Sequence, residues 1–393
     1  MDQPASSSKR GRALFITIGT MLLLGLLFLG WYIVWGQFEE TTQDSYVHGN
    51  MVQLNSQVPG IVTKINAEET QFVKKGQIVV ELDRTDPLIV FGRSKAELAE
   101  SVRQVVELFE NAISLRAELG VKKAELLQAS WDFENRLPLV EPGAISKEEF
   151  EQALTNLEGA KNSLIQTKHA YLAALALVQN TTLTTHPLVR QSADNLREAF
   201  VNLRRCSIMA PTDGFIAMRN VQVGESVDVT TPLLAIIPLE DLWVEANFKE
   251  VHLKHVRIGQ PVTMRADLYG RSVKYHGTVT GLSAGTGSAF SVLPPQNATG
   301  NWIKIVQRLP VRVDLNADEL MRNPLMIGLS MHTHIDTHDR SGRILAEAKK
   351  ELQPIYSTNI YPQQEWGADY IVKQTIRANA DPAFIEEIEQ MEW

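Results

Sequence analysis

Leu139-Val140-Glu141-Pro142-Gly143-Ala144-Ile145-Ser146 is the only strong break in a long run of helical sequence, and its reading decides the fold. Pro142-Gly143 is a turn signal, and Ser146 followed three residues later by Glu149 is a capping box that starts a new helix. Upstream, Leu98, Val105, Ala112, Leu119, Leu126 and Phe133 recur every seven residues. Downstream, Phe150, Leu157, Leu164, Tyr171 and Val178 do the same, with Ala153, Ala160 and Ala174 offset by three. Two seam positions on a seven-residue period mark a coiled coil. The break therefore predicts an antiparallel helical hairpin over 88–205 that turns near 140–146. Each arm is on the order of 50 residues, a reach of roughly 75–80 Å at about 1.5 Å per residue. Asn180 to Pro187, rich in threonine, interrupts the descending arm, and Val189, Leu196 and Leu203 open a new series. This reads as a kink or register shift rather than a domain end. A bundle folded back on itself would need turn signals inside each arm, and there are none.

Short β segments flank the hairpin. From Tyr46 to Leu82 strands alternate with turn residues, as in Gly60-Ile61-Val62-Thr63-Lys64-Ile65 and Gln77-Ile78-Val79-Val80-Glu81-Leu82. Ile208 to Ile237 reads the same way. Without a gap, Gly60 aligns with Gly214, Val62 with Ile216, Val73 with Val227, Val79 with Leu233 and Leu82 with Ile236. Gly60, Gly76 and Gly214 are expected at structural turns, where positive φ or close backbone approach excludes a side chain. Gly76 has Thr230 as its counterpart, so the repeat is imperfect. Neither half can bury its apolar face alone, which predicts one sandwich assembled from 45–87 and 206–238. Further on, Leu242-Trp243-Val244-Glu245-Ala246-Asn247-Phe248, Pro261-Val262-Thr263-Met264-Arg265-Ala266, Gly277-Thr278-Val279-Thr280-Gly281-Leu282 and Leu309-Pro310-Val311-Arg312-Val313-Asp314 read as strands. They predict a small antiparallel barrel over 239–340. Residues 341–393 read as helical pieces of unassigned role, one of them opened by Asp381-Pro382. The fold class is mixed α and β, multidomain.

The N-terminus adds a membrane anchor. Ala13 to Trp35 is a 23-residue stretch without a charged side chain, and some 20 apolar residues cross a bilayer. Lys9, Arg10 and Arg12 precede it, while Glu39, Glu40 and Asp44 follow. The positive-inside rule then leaves residues 1–12 in the cytoplasm, spans the membrane with 13–36 and exports the rest. Trp31, Tyr32 and Trp35 form an aromatic belt at the outer interface. A cleaved signal peptide would have a shorter apolar core and small residues at its end, whereas this core ends in Trp35-Gly36-Gln37-Phe38.

Composition excludes several function classes. With 38 basic against 46 acidic residues the net charge is −8, the wrong sign for a nucleic-acid binder. The single cysteine, Cys206, rules out an intramolecular disulfide and any multi-cysteine metal site, and reads as a small core residue at the hairpin root. His332 and His334 share one side of a strand, as a metal pair or as solvent-facing positions, with His338 just beyond. Gly285-Thr286-Gly287-Ser288-Ala289-Phe290 lacks the third glycine of a dinucleotide loop, and no histidine sits in a motif with a serine or the cysteine. Asn297-Ala298-Thr299 fits the glycosylation sequon, without consequence in most bacterial periplasms. No cofactor, metal or catalytic residue is expected.

The order anchor, half-sandwich, hairpin, half-sandwich, barrel resembles the HlyD-like membrane fusion proteins, the periplasmic adaptors of Gram-negative efflux and secretion systems. The likeness is closer still to the EmrA-type multidrug efflux adaptors. It is carried by Thr41-Thr42-Gln43-Asp44-Ser45-Tyr46-Val47-His48-Gly49-Asn50, Trp243-Val244-Glu245-Ala246-Asn247-Phe248-Lys249-Glu250 and Gly285-Thr286-Gly287-Ser288-Ala289-Phe290-Ser291. Two longer and more specific stretches are Gln296-Asn297-Ala298-Thr299-Gly300-Asn301-Trp302 and Val306-Gln307-Arg308-Leu309-Pro310-Val311-Arg312. The resemblance covers 12–340 and implies a lipoyl-like sandwich split by the hairpin, followed by the barrel. It also implies a bacterial inner-membrane anchor of one pass, a major-facilitator drug transporter beside the barrel and a TolC-type outer-membrane channel at the hairpin tip. Such adaptors form homo-oligomeric rings, a hexamer among them, and confer antibiotic resistance.

Relatives dock the channel through an Arg, Leu and Ser motif at the tip, which makes Arg136, Leu139 and Ser146 the candidate docking residues. Leu139 and Ser146 match its spacing, but Asn135 holds the arginine position and Arg136 comes one residue late. One residue turns a helical side chain by about 100°. Leu139 reads equally as the last hydrophobic residue of the seam, and Ser146 as a helix cap. Lipoyl and biotinyl carriers bear a tip lysine that Leu82-Asp83-Arg84-Thr85 lacks, so the resemblance implies their fold and not their chemistry. The expected function is a non-enzymatic adaptor of a tripartite multidrug efflux pump. An adaptor of type I protein secretion with an ABC transporter, or an envelope tether without a transport role, is the alternative.

Overall fold

A computed structural model describes residues 7–31, 38–141, 144–287, 289–290, 306–346 and 354–390. Pro142-Gly143, Tyr32, Trp35 and the stretch 291–305 lie outside them. The chain opens with α1 (Ser7–Trp31). Within it Ala13–Gly30 is apolar enough and long enough to cross a bilayer, and none of it is buried. A helix that is apolar all round and exposed along its length has lipid as its natural surroundings.

The strand that follows, β1 (Glu39–Gly49), corrects the expected boundary of the sandwich at residue 45. It belongs to the barrel, whose closed order is β1, β10 (Leu242–Lys249), β13 (Arg308–Leu315), β12 (Tyr275–Leu282), β11 (Pro261–Ala266) and β14 (Ser330–Asp336). Without β1 the sheet would keep two open edges on β10 and β14. Tyr46 opposes Glu245 on one side and Ser330 on the other, so closure satisfies both ladders. Alternation drives the interior: Leu242, Val244, Ala246 and Phe248 point in from β10 while Trp243, Glu245 and Asn247 point out. Val262, Met264, Tyr275, Val311, Val313 and Ile335 complete the core. The Tyr275 hydroxyl is buried there and donates to the Asn323 carbonyl at 3.0 Å, and burial pushes its pKa up to about 12.

The sandwich consists of β2 (Val52–Asn55), β3 (Gly60–Ile65), β4 (Phe72–Val73) and β5 (Ile78–Leu82) from the first half. The second half supplies β6 (Ser207–Met209), β7 (Gly214–Arg219), β8 (Ser226–Val227) and β9 (Pro232–Ile237). Its two sheets run β2-β9-β7-β4 and β6-β5-β3-β8, so each sheet takes strands from both halves. The ungapped offset of 154 residues (214 − 60) governs the ladders themselves. Gly60 opposes Val227 as Gly214 opposes Val73, and Val62 opposes Leu82 as Ile216 opposes Ile236.

Between the halves run α2 (Thr85–Val140), α3 (Lys147–Val178) and α4 (Pro187–Arg205). The 56 residues of α2 give it a length of about 84 Å at about 1.5 Å each. Near the root Leu98, Val102, Val105, Phe109 and Ala112 are wholly buried against α3 and α4. The threonine-rich interruption is a true break: Asn180 takes φ 59° and His186 caps the new helix by accepting from the Leu188 amide. After the barrel helix α5 (Ala317–Arg322) come α6 (Ile360–Gln363), α7 (Ala368–Asn379) and α8 (Pro382–Gln390). Val372 and Ile376 of α7 enter the same core as the hairpin root, and Asp369 pairs with Arg197 at 2.8 Å.

Of the three sandwich glycines, Gly76 has φ 85° and a β-carbon on Gly214 would lie 2.6 Å from the Ile237 carbonyl oxygen. Gly60 and Gly214 open strands rather than form turns, and a β-carbon on Gly60 would make an ordinary 3.5 Å contact with Leu82. Thr70 has φ 67°, and its counterpart at the offset is Gly224 with φ 88°. Both amides donate across the halves at 2.8 Å, Thr70 to Ile216 and Gly224 to Val62. A β-branched residue in the left-handed region costs about 1–2 kcal/mol, and glycine returns roughly 0.4–1 kcal/mol of that in unfolded-state entropy. Thr70→Gly is therefore expected to stabilise the sandwich by about 0.5–1 kcal/mol and Gly224→Thr to destabilise it by a like amount. Thermal unfolding of the two variants checks this; a lower melting point for Thr70→Gly would refute it.

Candidate functional site

The far end of the hairpin is assembled by one seam layer and one helix cap. Phe133 of α2 and Phe150 of α3 stack in tilted fashion with centroids 5.4 Å apart, closing the seam. Beyond that layer Ser146 caps α3: its hydroxyl accepts from the Glu149 amide at 3.1 Å, and the Glu149 carboxylate accepts from the Ser146 amide at 2.8 Å. The bond from the Ser146 amide, and after it a 3.1 Å bond from the Ser146 hydroxyl to the same carboxylate, hold the Glu149 carboxyl below its usual range, with the positive field of Arg136 adding to them. The Ala144 amide donates to the Leu139 carbonyl at 3.0 Å.

The candidate docking residues are brought together here in unequal roles. Arg136 lies in the last turns of α2 and pairs with Asp132 at 2.8 Å, one helical turn back. Leu139 is 40% exposed, so the seam does not cover it, and Leu137 beside it is 52% exposed. Trp131, six residues before Leu137, is 60% exposed. Leu137 and Trp131 lie off the seven-residue series, a signal present in the sequence that the tip motif alone passes over. Trp31 is the last residue of α1, while Tyr32 and Trp35 lie outside the described residues.

A second constellation sits on the barrel wall. The β1 ladder to β14 is bulged between Thr42 and Ser45. There Asp44 forms an ion pair with Arg308 and accepts from the Asn247 amide group at 3.4 Å, while the Thr42 hydroxyl donates to the Asn247 carbonyl at 2.9 Å. These contacts border a cleft of about 410 Å³. Three of the sequence stretches singled out above thus meet at one place, although Asp44 and Arg308 are 264 residues apart. His332 and His334 both face outward on β14; His332 lies 3.0 Å from the Asp267 carboxylate and His334 is exposed. Cys206 is buried at the foot of α4, its thiol pointing to the Asn202 carbonyl at 3.4 Å, and burial pushes its pKa up.

Residues 85–206 match a family profile described as "EMRA, alpha-helical hairpin domain". The chain is 44% identical over 328 residues to "Multidrug export protein EmrA" of Escherichia coli strain K12, covering 84% of each. It belongs to the EmrA family. Its EmrA relative in Haemophilus influenzae, named in the same words, is 40% identical over 95% of both chains. The solved "Structure of the periplasmic adaptor protein EmrA" aligns with 76% of this chain and 99% of that one, at 19% identity and a TM-score of 0.39. Within this chain the profile begins at the first residue of α2 and ends at Cys206.

Removing the cap hydroxyl tests how the tip is held. Ser146→Ala is expected to cost about 1 kcal/mol locally, read as roughly fivefold faster amide exchange at Lys147 to Glu149. Because the folded-state pKa of Glu149 is depressed, its contribution is present above the ordinary carboxylate value of 4.5 and is lost as pH falls through the folded value. Amide protection at the start of α3, taken as the exchange rate relative to the intrinsic rate at the same pH, should therefore fall on acidification in the parent chain; protection that does not change with pH would contradict this.

Proposed function

We propose that this chain is the periplasmic adaptor of a tripartite multidrug efflux pump. In this reading α1 crosses the inner membrane once with residues 1–12 in the cytoplasm. A major-facilitator transporter lies beside the barrel, and the hairpin reaches a TolC-type channel in the outer membrane. Several copies form a ring, a hexamer in the first instance. The chain carries no chemistry of its own in this scheme, and the transporter supplies the energy.

The observation that supports the reading best is the placement of exposed Leu137 and Leu139 on a capped tip, at the end of a helix about 84 Å long whose other end is locked into the sandwich. An apolar tip held that far from the body is costly in solution and useful only against a partner. Arg136, Leu139 and Ser146 form the docking set, with Arg136 held to Asp132 and aimed by it, and Leu137 joins them.

Burying one leucine contributes about 1.5–3 kcal/mol, so Leu139→Asp should weaken channel binding by roughly 10- to 100-fold. The full-length variant is expected to leave cells as drug-sensitive as a deletion, with unchanged abundance and melting point because Leu139 is exposed. Undiminished drug resistance with Leu139→Asp would remove the docking assignment. Mild cross-linking of the parent chain in its own envelope is expected to recover the transporter and the channel; recovery of an ATP-driven transporter would point to secretion instead.

A further inference from the structure

The barrel end nearest the anchor is built unlike the rest of the barrel. Phe38 is the first described residue after α1, and its carbonyl accepts from both the amide and the hydroxyl of Thr337 at 2.8 Å. From Trp31 to Phe38 there are seven peptide steps (38 − 31). At about 3.5 Å each these span no more than ~25 Å. Whatever touches Phe38 is held within that distance of the end of the membrane helix.

What touches it includes a guanidinium. The Arg340 guanidinium lies 5.1 Å from the Phe38 ring centroid, and His338 stacks on the same ring at 4.4 Å. The segment carrying Arg340 and Arg343 is fastened to the one carrying Lys254 and Arg257. The Ile258 amide donates to the Arg343 carbonyl at 2.9 Å, and the Gln260 side chain donates to the Asp339 carbonyl at 2.7 Å. At Gly342 a β-carbon would lie 2.3 Å from the Ile258 carbonyl oxygen, so the two backbones touch. His255 registers the crowding: burial first, then the fields of Arg340, Lys254 and Arg257, hold its imidazole below the usual pKa.

The carboxylates of these segments are largely engaged. Glu40 pairs with His252 and Asp336 with His338, both at 2.6 Å, while Asp339 accepts from the amide and hydroxyl of Ser341. Glu39, Glu250 and Asp339 are the three of them without an ion pair among the described residues. Beside the cations, Ile344 and Leu345 are 53% and 64% exposed. Exposed aliphatic side chains set among lysine and arginine, on a short tether from a bilayer, have the chemistry of a surface that seeks anionic headgroups.

We propose that this end of the barrel rests on the outer leaflet of the membrane that α1 crosses. Lys254, Arg257, Arg340 and Arg343 bind the phosphates of anionic phospholipids, and Ile344 and Leu345 enter the headgroup layer. The inference rests on the anchored, exported topology proposed above. Its consequence is mechanical: the barrel, held at two places on the membrane, cannot swing freely about its anchor.

The test uses the full chain inserted in vesicles, with a nitroxide on Leu345→Cys; native Cys206 is buried and stays unlabelled. Vesicles of neutral phosphatidylcholine are compared with vesicles containing phosphatidylglycerol. The label is expected to become less accessible to a water-soluble relaxant, and more accessible to oxygen, only in the anionic vesicles. Lys254→Glu with Arg343→Glu should reduce that preference by roughly fivefold per cation removed, and added inorganic phosphate should not reproduce it. Equal accessibility in both vesicles, or indifference to the charge reversals, would overturn the proposal. So would protection that appears only when a transporter is added, since the occupant would then be a protein. A chain that fails to co-sediment with vesicles would instead refute the anchored topology.

Discussion

Everything in this chain hangs on the closure of the split sandwich. Neither half has a complete sheet, and the link between them is made at the root of the hairpin. There β5 pairs with β6, and the Leu82 amide donates to the Cys206 carbonyl at 2.8 Å. Closing so long a loop with flexible chain would forfeit entropy for no contacts. Here the loop is two packed arms with their own seam, so ordering it is offset by burial of Leu98, Val105, Phe109 and their partners. Because α2 starts at Thr85 and α4 ends at Arg205, directly against β5 and β6, the sandwich sets where the hairpin points.

The same economy governs the other two junctions. The barrel is closed by β1, the first described strand after the apolar helix, which pairs with β14 from Glu39 and with β10 up to Gly49. At the opposite side α7 lays Val372 and Ile376 into the hairpin root and ties Asp369 to Arg197. The C-terminal segment is thereby a third layer on a two-arm structure. It braces the region where the descending arm is broken at Asn180, and where a plain coiled coil would be weakest.

Much of this was legible in the residues. The seven-residue series named the hairpin, the Ser146–Glu149 pair named its restart, and the ungapped repeat at an offset of 154 residues named one sandwich built from two halves, whose ladder register the folded structure then supplied. The barrel membership of β1 was not legible, for a physical reason. Its first residues are Glu39-Glu40-Thr41-Thr42, with little apolar alternation, and its partners lie 197 residues away at Val244 (244 − 47) and 293 away at His334 (334 − 41). Likewise the docking of α7 could not be read from 341–393. A 12-residue amphipathic helix states that it needs a partner without stating which.

Periodicity and spacing are local properties, and they determined the element types, the hairpin turn, the twofold repeat and the apolar anchor. Which surfaces meet is a property of shape and closure, and only the tertiary structure decided it. The folded chain brought Asp44 to Arg308, left Leu139 exposed beyond the seam, and gathered Arg340, Lys254 and Phe38 at one end of the barrel. Contacts between residues hundreds of positions apart are chosen by how complete sheets and packed helices fit, and that fit has no period in the sequence to announce it.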